Sequence, residues 1–131
     1  VLAMAILYQV DLFEKKEIAY DLEDVIEKNI TGVEGDTSFI RELVMGVITH
    51  NEELVRLANQ YLNNWNISRL GITDGAILKI AIYELLYTDT PSKVCIDEAV
   101  ELAKCFSDEP VVGMINGVLD KIYHERVIEK E

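Results

Sequence analysis

The fold of this chain is decided by residues 75–87, which read GAILKIAIYELLY. Aliphatic side chains occupy nearly every face of the helix that this stretch predicts, and only Lys79 and Glu84 interrupt them. A helix that is apolar all round is buried in the middle of a bundle. The stretch is also too short and too charged to cross a bilayer, so no membrane association is expected. We therefore expect a central core helix over residues 74–87, capped by Thr73.

Amphipathic helical patterns lie on both sides of this core helix. Their apolar stripes cover residues 2–13, 22–26, 40–47, 54–62, 96–106 and 115–122. The third helix is expected to begin at a cap formed by Asp36 or Thr37, and a short linker with Trp65 precedes the core helix. No strand pattern interrupts the series. The sequence thus predicts an all-α fold, a single compact helical domain of about seven helices over residues 1–131, with a charged tail at 125–131 that frays.

The charge balance is strongly acidic. The 131 residues include 24 acidic and 12 basic side chains, a formal net charge of −12, and half of the residues are hydrophobic. A chain with so many apolar residues folds around a packed core instead of remaining disordered. Because an acidic surface repels phosphate, the plain interpretation is a solvated domain with no nucleic-acid role. The functional alternative is a domain that docks a basic partner.

Two cysteines, Cys95 and Cys105, stand ten residues apart, a spacing that fits neither a metal site nor a redox pair. They are expected to be free thiols of a cytoplasmic protein that carries no metal and no cofactor. No signal peptide is visible at the start of the sequence. Val1 already stands in helical phase with Leu2 and Ile6 and has no cap before it. This predicts that the sequence begins inside a helix, with residues missing upstream.

The sequence contains no catalytic motif. Its two histidines, His50 and His124, form no ligand pair and are interpreted as surface or helix-end residues. The serines fall at caps and loops with no nucleophile elbow around them, and the glycines form no phosphate-binding loop. Carboxylate pairs arise by chance on so acidic a surface. We therefore expect no catalytic residue and no enzymatic activity.

Helical patterning leaves two features unexplained. The first is Asn116 beside Gly117, inside a helix where glycine costs roughly 1 kcal/mol against alanine. Gly113 and Gly117 allow close packing against a neighbouring helix or, with Asn116, the presentation of amide and backbone groups to a ligand such as RNA. The second is Glu84 on the core helix. It is either a buried, paired carboxylate or a partner-facing residue that borders Tyr8.

Five segments together resemble the NusB family of bacterial transcription antitermination factors. They are AILYQ at residues 5–9, GV at 46–47, LKIAIYEL at 78–85, VCIDEAVELAKCF at 94–106 and INGVLDKI at 115–122. The two C-terminal segments, in this order and with this spacing, are highly specific, and the likeness covers nearly the whole chain. It implies a NusB-like fold made of two small helical bundles.

The resemblance also implies a function. Members of this family bind a basic small-subunit ribosomal protein, called NusE in its transcription role, and the pair holds the boxA element of nascent RNA. The complex promotes read-through of terminators, notably in ribosomal RNA operons, and so acts on the RNA polymerase elongation complex indirectly. By position in the family, the partner-facing residues are Tyr8 and Glu84. The RNA-binding candidates are Lys93, Lys104, Gly113, Met114 and Asn116.

Three departures from the family pattern predict weak RNA binding by this chain alone. The sequence starts after the point where the family carries an arginine-rich stretch that grips RNA. Met114 stands where members often have phenylalanine, which would stack on a base for ~1–3 kcal/mol. Asp97 replaces the common asparagine of the family motif and adds negative charge near the expected RNA surface. Binding of the protein partner is therefore expected to be stronger than binding of RNA by this chain.

Two alternative functions stay open at this point. Some RNA cytosine methyltransferases carry a similar domain at their N-terminus, an interpretation that needs a catalytic domain after the last helix. The other alternative is a structural homodimerising module with no RNA role. A dimer that buries Tyr8, Glu84 and Met114 would favour the homodimer.

Overall fold

The structure, a computed structural model, describes residues 2–62, 67 and 70–127. The helices are α1 (Leu2–Lys15), α2 (Leu22–Ile30), α3 (Ser38–Thr49), α4 (Asn51–Tyr61), α5 (Ile72–Tyr87), α6 (Ser92–Phe106) and α7 (Glu109–Ile122). A π-helical turn, Tyr123–Val127, extends α7. The described residues contain no strand, so the predicted all-α fold of about seven helices is confirmed.

Helix α5 is the centre of the molecule. Ten of its sixteen residues are buried, and it packs against α1, α3, α4, α6 and α7. Helix α1 contacts α2 and α3, while α4 and α6 contact α7, and α5 belongs to both groups. The prediction that residues 74–87 form a buried core helix between two small bundles is confirmed.

The start of α5 differs from the prediction, because Thr73 does not cap it. Gly71 occupies the N-cap position without a side-chain hydrogen bond, and Thr73 lies inside the first turn. Asp74 stands in that turn, where a negative charge stabilises the helix. Its carboxylate accepts a hydrogen bond from the Ser107 hydroxyl at the end of α6. This bond ties the beginning of the core helix to the turn between α6 and α7.

The start of α3 is held by Asp36. The Asp36 carboxylate accepts a hydrogen bond from the backbone N–H of Ser38 at 2.9 Å, and this bond lowers the pKa of Asp36. Thr37 occupies the N-cap position itself, but its side chain makes no capping hydrogen bond. Of the two caps that the sequence left open, Asp36 is the one that satisfies a backbone group.

Lys79, one of the two charges on the core helix, is buried in a polar contact between three helices. Its Nζ lies 3.2 Å from the Asp11 carboxylate of α1 and 3.1 Å from the Asn51 side-chain oxygen of α4. A buried ammonium group is tolerated when it is paired and hydrogen-bonded. Lys79 therefore connects α1, α4 and α5 in the interior.

Helix α7 begins earlier than the sequence suggested. Asp108 caps it, since the carboxylate accepts a hydrogen bond from the backbone N–H of Val111, and Pro110 lies in the first turn. Proline fits that position because its nitrogen has no hydrogen to leave unpaired. The apolar stripe over residues 115–122 covers only the second half of this helix, so segment 113–116 lies well inside α7.

The charged tail was expected to fray from residue 125. The helical turn Tyr123–Val127 includes its first residues, and Arg126 Nε donates a hydrogen bond to the Tyr61 hydroxyl at 3.3 Å. Residues 128–131 lie outside the described residues, as does Trp65, which the sequence placed in the linker before the core helix.

Candidate functional site

Glu84, the other charge on the core helix, is the most unusual polar group of the described structure. Only 8% of the residue is exposed. No side-chain hydrogen bond or ion pair joins its carboxylate to another residue in the described part of the chain, so the paired carboxylate, one of the two alternatives left open, is not formed among these residues. The described residues contain no fully buried side-chain oxygen without a partner, so the Glu84 carboxylate opens to the cavity that it lines.

The Glu84 side chain lines a cavity of about 510 Å³ between α1, α3, α5 and α6, which we call the acidic cavity. Most of its lining residues are apolar, and its two charged groups are both carboxylates, Glu84 of α5 and Glu98 of α6. The lining residues are Leu2, Ala3, Met4, Phe39, Ile40, Leu43, Ile80, Glu84, Thr90, Glu98 and Leu102. The cavity thus combines an aliphatic wall with a concentrated negative charge.

The pKa values of Glu84 and of the neighbouring Cys95 are both raised. Burial raises the pKa of Glu84, and the nearby charge of Glu98 raises it further. Burial, followed by the charges of Glu84 and Glu98, raises the pKa of the Cys95 thiol to about 12. Cys95 is a free, buried cysteine, and it remains a protonated thiol in this negative field.

Tyr8, the other residue expected to face a partner, lies on the outer surface of α1. It is 41% exposed, which leaves the ring free to contact another molecule. It does not line the acidic cavity, but it stands one helical turn beyond Met4, which does. The structure therefore places Glu84 in the cavity lining and Tyr8 outside it.

The five RNA-binding candidates lie on α6 and α7, which pack together as a pair joined by a two-residue turn. Lys93 and Lys104 are both exposed, but they stand near opposite ends of α6, about 16 Å apart at about 1.5 Å per residue. Lys104 lies near the turn, on the same end as the first half of α7. The structure therefore groups Lys104 with segment 113–116, and it places Lys93 at the far end.

Lys104 is already paired, but weakly. Its Nζ lies 3.2 Å from a Glu101 oxygen one turn earlier on α6, and both side chains are more than half exposed. Exposed pairs of this kind contribute at most about 1 kcal/mol, so a phosphate group can replace the carboxylate. Lys104 is thus available as a phosphate contact.

Gly113 and Gly117 form an open strip on the exposed face of α7. A Cβ atom added at either glycine would meet nothing within 4 Å. Close packing of these glycines against a neighbouring helix, one of the two interpretations left open, is therefore wrong within this chain. Asn116 is exposed beside them, while Met114 is half-buried and packs against the core. The strip lets a ligand approach the helix backbone.

Sequence reasoning missed an aromatic cluster at the ends of α3 and α5. The His50 and Tyr87 rings stack with centroids 4.4 Å apart, and the Tyr83 ring lies 5.2 Å from Tyr87. The Tyr87 hydroxyl donates a hydrogen bond of 2.6 Å to Glu53, which raises the pKa of Tyr87 to about 12. The i, i+4 spacing of Tyr83 and Tyr87 is the signal that could have indicated a shared face.

Phe39 is a second residue that sequence reasoning missed. It is 54% exposed in the first turn of α3 and lines both the acidic cavity and a smaller cavity that includes Tyr83 and Tyr87. Exposed aromatic rings beside a cavity are typical of surfaces that bind other molecules.

Two further observations concern the described residues as a whole. They contain no group of three or more histidine, cysteine, aspartate or glutamate side chains arranged to hold a metal ion. None of their helices combines the length and the apolar character that a membrane crossing requires.

Comparison with known proteins identifies the family of this fold. The model of the NusB family matches residues 1–124. The transcription antitermination protein NusB of Halalkalibacterium halodurans is 42% identical over 120 residues, which make up 91% of this chain and 86% of the relative. The corresponding protein of Geobacter sulfurreducens is 39% identical over 122 residues, 92% of this chain and 88% of the relative.

Solved structures give the same result. NusB from T. maritima superposes with a TM-score of 0.87 at 29% identity, covering 98% of this chain and 90% of that one. A structure of antitermination factors NusB and NusE in complex with dsRNA has a TM-score of 0.80 at 22% identity, covering 94% and 91%, and this likeness concerns the fold. Because the family model spans nearly the whole chain and the relatives match over most of their length, the chain belongs to the NusB family of transcription antitermination proteins.

Proposed function

We propose that this chain is a non-catalytic antitermination factor of the cytoplasm that pairs with the basic ribosomal protein NusE and binds boxA RNA. The observation that carries the proposal is the match of the NusB family model to residues 1–124, together with relatives named for transcription antitermination that are matched over most of their length. The excess of acidic over basic side chains, 24 against 12, suits a basic partner. Read-through of terminators, notably in ribosomal RNA operons, would follow from the assembled complex.

The relatives support this proposal over the alternatives. The chain covers 86% to 89% of several relatives that are named for transcription antitermination, and none of these names denotes a methyltransferase. A structural neighbour was solved with NusE and dsRNA bound. The methyltransferase domain and the purely structural homodimer are therefore not favoured.

The charge of the chain explains why two proteins are needed on the RNA. With a formal net charge of −12, this domain alone repels the phosphate backbone, and Lys104 and Lys93 offset little of that repulsion. A basic partner docked on the acidic domain would supply most of the phosphate contacts. The open glycine strip of α7 and Asn116 would then contribute contacts to the bases or sugars.

The proposal is tested by fluorescence anisotropy of a labelled boxA RNA, titrated with this chain, with NusE, and with both, at two salt concentrations. We expect tight, salt-sensitive binding only when both proteins are present, because the phosphate contacts come from the pair. A scrambled RNA of equal length is the control. Equal binding of both RNAs, or no gain from the second protein, would contradict the proposal.

Glu84→Lys is expected to weaken the complex with NusE by at least about tenfold. The substitution places a cation where the proposed interface receives one, so an attraction becomes a repulsion. Isothermal titration calorimetry of the two proteins without RNA measures the change, and a thermal melt shows whether the variant is folded. A folded variant with unchanged affinity would remove Glu84 from the interface.

Met114→Phe is expected to strengthen the binding of boxA RNA by the assembled pair about three- to tenfold. An aromatic ring stacks on a base for ~1–3 kcal/mol, and the half-buried position of Met114 allows part of that gain. Met114→Leu is the matched control, since it changes the shape of the side chain without adding an aromatic face. If both variants bind RNA like the unmodified chain, Met114 does not contact a base.

A further inference from the structure

A small cavity of about 200 Å³ lies between α4, α5 and the π-helical turn that extends α7, and we call it the arginine pocket. Two guanidinium groups line it, those of Arg56 in α4 and Arg126 in the turn. The described residues of its lining are Glu53, Arg56, Leu57, Gln60, Leu86 and Arg126. Like charges repel, so two cations that face one cavity, in a chain with 24 acidic and 12 basic side chains, indicate a site for an anion.

One face of α4 forms a wall of the arginine pocket. The four lining residues of this helix stand at positions i, i+3, i+4 and i+7, so their side chains lie on the same face. Arg56 is exposed on that face, and no hydrogen bond or ion pair joins it to another residue in the described part of the chain. Its guanidinium group carries five N–H donors that a ligand can therefore use.

Arg126 approaches the same face of α4 from the end of α7. Its Nε donates a hydrogen bond to the Tyr61 hydroxyl at 3.3 Å, and its Nη2 donates one to the Gln60 side-chain oxygen at 3.4 Å. Both acceptors are neutral, so these two bonds orient the guanidinium group without compensating its charge. A side chain that is already oriented loses less conformational entropy when a ligand binds.

Glu53 is the one carboxylate among the described lining residues, and both of its oxygens lie close to other groups. Its Oε1 accepts a hydrogen bond of 2.6 Å from the Tyr87 hydroxyl, and its Oε2 lies 3.7 Å from His50 Nδ1. No ion pair joins it to Arg56 in the structure of the described residues. Glu53 thus belongs to the aromatic cluster and leaves the Arg56 guanidinium group to an external anion.

We propose that the arginine pocket binds one phosphate group of the RNA, with Arg56 and Arg126 as its two guanidinium donors. A planar carboxylate is satisfied by one guanidinium fork, whereas a tetrahedral phosphate presents oxygens in several directions to forks from two different elements. The aliphatic side chains of Leu57 and Leu86 border the guanidinium groups. They lower the local dielectric constant, which strengthens a charged hydrogen bond.

The inference rests on the proposed function, because it assigns the phosphate to the boxA RNA that this chain and NusE hold together. The pocket lies beyond the five RNA-binding candidates of α6 and α7. Arg126 stands nine residues after Gly117, about 14 Å further along α7 at about 1.5 Å per residue. RNA that contacts the glycine strip and continues toward the end of α7 would reach Arg126 and Arg56.

The first experiment measures the anisotropy of labelled boxA RNA with the assembled pair of this chain and NusE. Arg56→Gln should weaken binding about five- to tenfold, because it removes a charge-assisted phosphate contact. Lys28→Gln is the matched control, since it changes the net charge equally at an exposed residue of α2 that pairs with Asp24 and does not line the pocket. Its affinity should remain within about twofold. Thermal melts of both variants should match the unmodified chain.

The second experiment repeats these titrations over a range of salt concentrations. Each phosphate of a single strand that a protein neutralises contributes about 0.7 to the slope of log K against log salt. Arg56→Gln should lower the slope by about that amount, and Lys28→Gln should leave it unchanged. Arg56→Lys keeps the charge without the fork, so the slope should remain while the affinity falls severalfold. Unchanged affinity and slope in Arg56→Gln would overturn the inference.

The third experiment uses this chain alone. NMR follows the Nε–H signals of Arg56 and Arg126 while inorganic phosphate, or acetate at equal ionic strength, is added to millimolar concentration. We expect saturable shifts with phosphate and none with acetate. Equal shifts with acetate would overturn the choice of phosphate and indicate an acidic protein segment as the ligand. Shifts with phosphate, combined with no effect of Arg56→Gln on RNA binding, would restrict the pocket to free phosphate and overturn the RNA contact.

The outcomes separate this inference from the proposed function. If the unmodified pair binds boxA RNA and the pair with Arg56→Gln binds it equally well, the phosphate contact is wrong and the proposed function stands. If the unmodified pair does not bind boxA RNA, the proposed function fails, and the RNA contact of the pocket fails with it. Loss of affinity and of salt slope in Arg56→Gln but not in Lys28→Gln supports the inference.

Discussion

Replacing Asp11 with alanine is expected to lower the free energy of unfolding by about 3 kcal/mol. The substitution removes the carboxylate that lies 3.2 Å from Lys79 Nζ and leaves a buried ammonium group with only the Asn51 side chain. Breaking a buried pair costs several kcal/mol because the remaining charge is not solvated. The value lies at the lower end of that range, since Asp11 is partly exposed. Urea denaturation monitored by circular dichroism measures the loss.

Two controls make this prediction specific. Asp24→Ala removes a carboxylate from the exposed pair with Lys28, 3.0 Å apart, and should change stability by less than about 0.5 kcal/mol. The double variant Asp11→Ala with Lys79→Met removes both buried charges and should recover much of the loss. Equal losses for the Asp11 and Asp24 variants would show that the buried contact contributes no more than a surface pair.

Gly46→Ala is expected to lower the free energy of unfolding by about 2 kcal/mol. A Cβ atom at Gly46 would overlap the end of the Tyr83 ring and lie 2.6 Å from its Cε1 atom. The ring cannot move away freely, because it belongs to the aromatic cluster with His50 and Tyr87. Overpacking of this kind costs about 1–3 kcal/mol, which exceeds the gain of up to about 1 kcal/mol from placing alanine in a helix.

Replacing a glycine of the last helix with alanine should instead raise the free energy of unfolding. Gly113→Ala adds a methyl group where nothing lies within 4 Å, so only the gain in helix propensity remains, up to about 1 kcal/mol. In a Tyr83→Ala background, the loss caused by Gly46→Ala should disappear, because the overlapping ring is gone. Thermal melts of Gly46→Ala, Gly113→Ala, Tyr83→Ala and the double variant Gly46→Ala with Tyr83→Ala measure these changes in stability. A loss that persists without the Tyr83 ring would place its cause elsewhere.

Glu84 illustrates how an ionisable group on a core helix can lower stability. Its raised pKa means that the folded state resists ionisation of this carboxyl group, so ionisation at neutral pH destabilises the free protein. That contribution to stability is fully present below the unfolded pKa and is lost as the pH rises through the folded pKa.

Much of the fold was predictable from the sequence, for a physical reason. A stretch such as residues 75–87, apolar on every face, has no stable place except the interior of a bundle, so both the existence and the position of α5 followed from its pattern. Family motifs in the last third then identified the arrangement of the helices. The start of α7 was placed too late because its apolar stripe begins only at Ile115, whereas the helix itself begins at Glu109, with Pro110 tolerated in its first turn.

The candidate site was only partly predictable. Glu84 stood out in the sequence because a carboxylate interrupts an otherwise apolar helix, and that local contrast is visible without a structure. Glu98 and Phe39 gave no such signal, since each is an ordinary exposed residue of its own helix. They acquire significance through the packing of α3 and α6 against α5, which brings three distant segments to one cavity.

The sequence by itself thus determined the helical architecture, the family and the acidic character of the chain, because these depend on local periodicity, motif order and composition. Tertiary structure alone decided that Glu84 lines a cavity, that Lys79 is paired with Asp11, and that Gly46 is crowded while Gly113 is open. Each of these differences depends on which atoms of other helices occupy the surrounding space. Helical spacing along one segment carries no information about those neighbours.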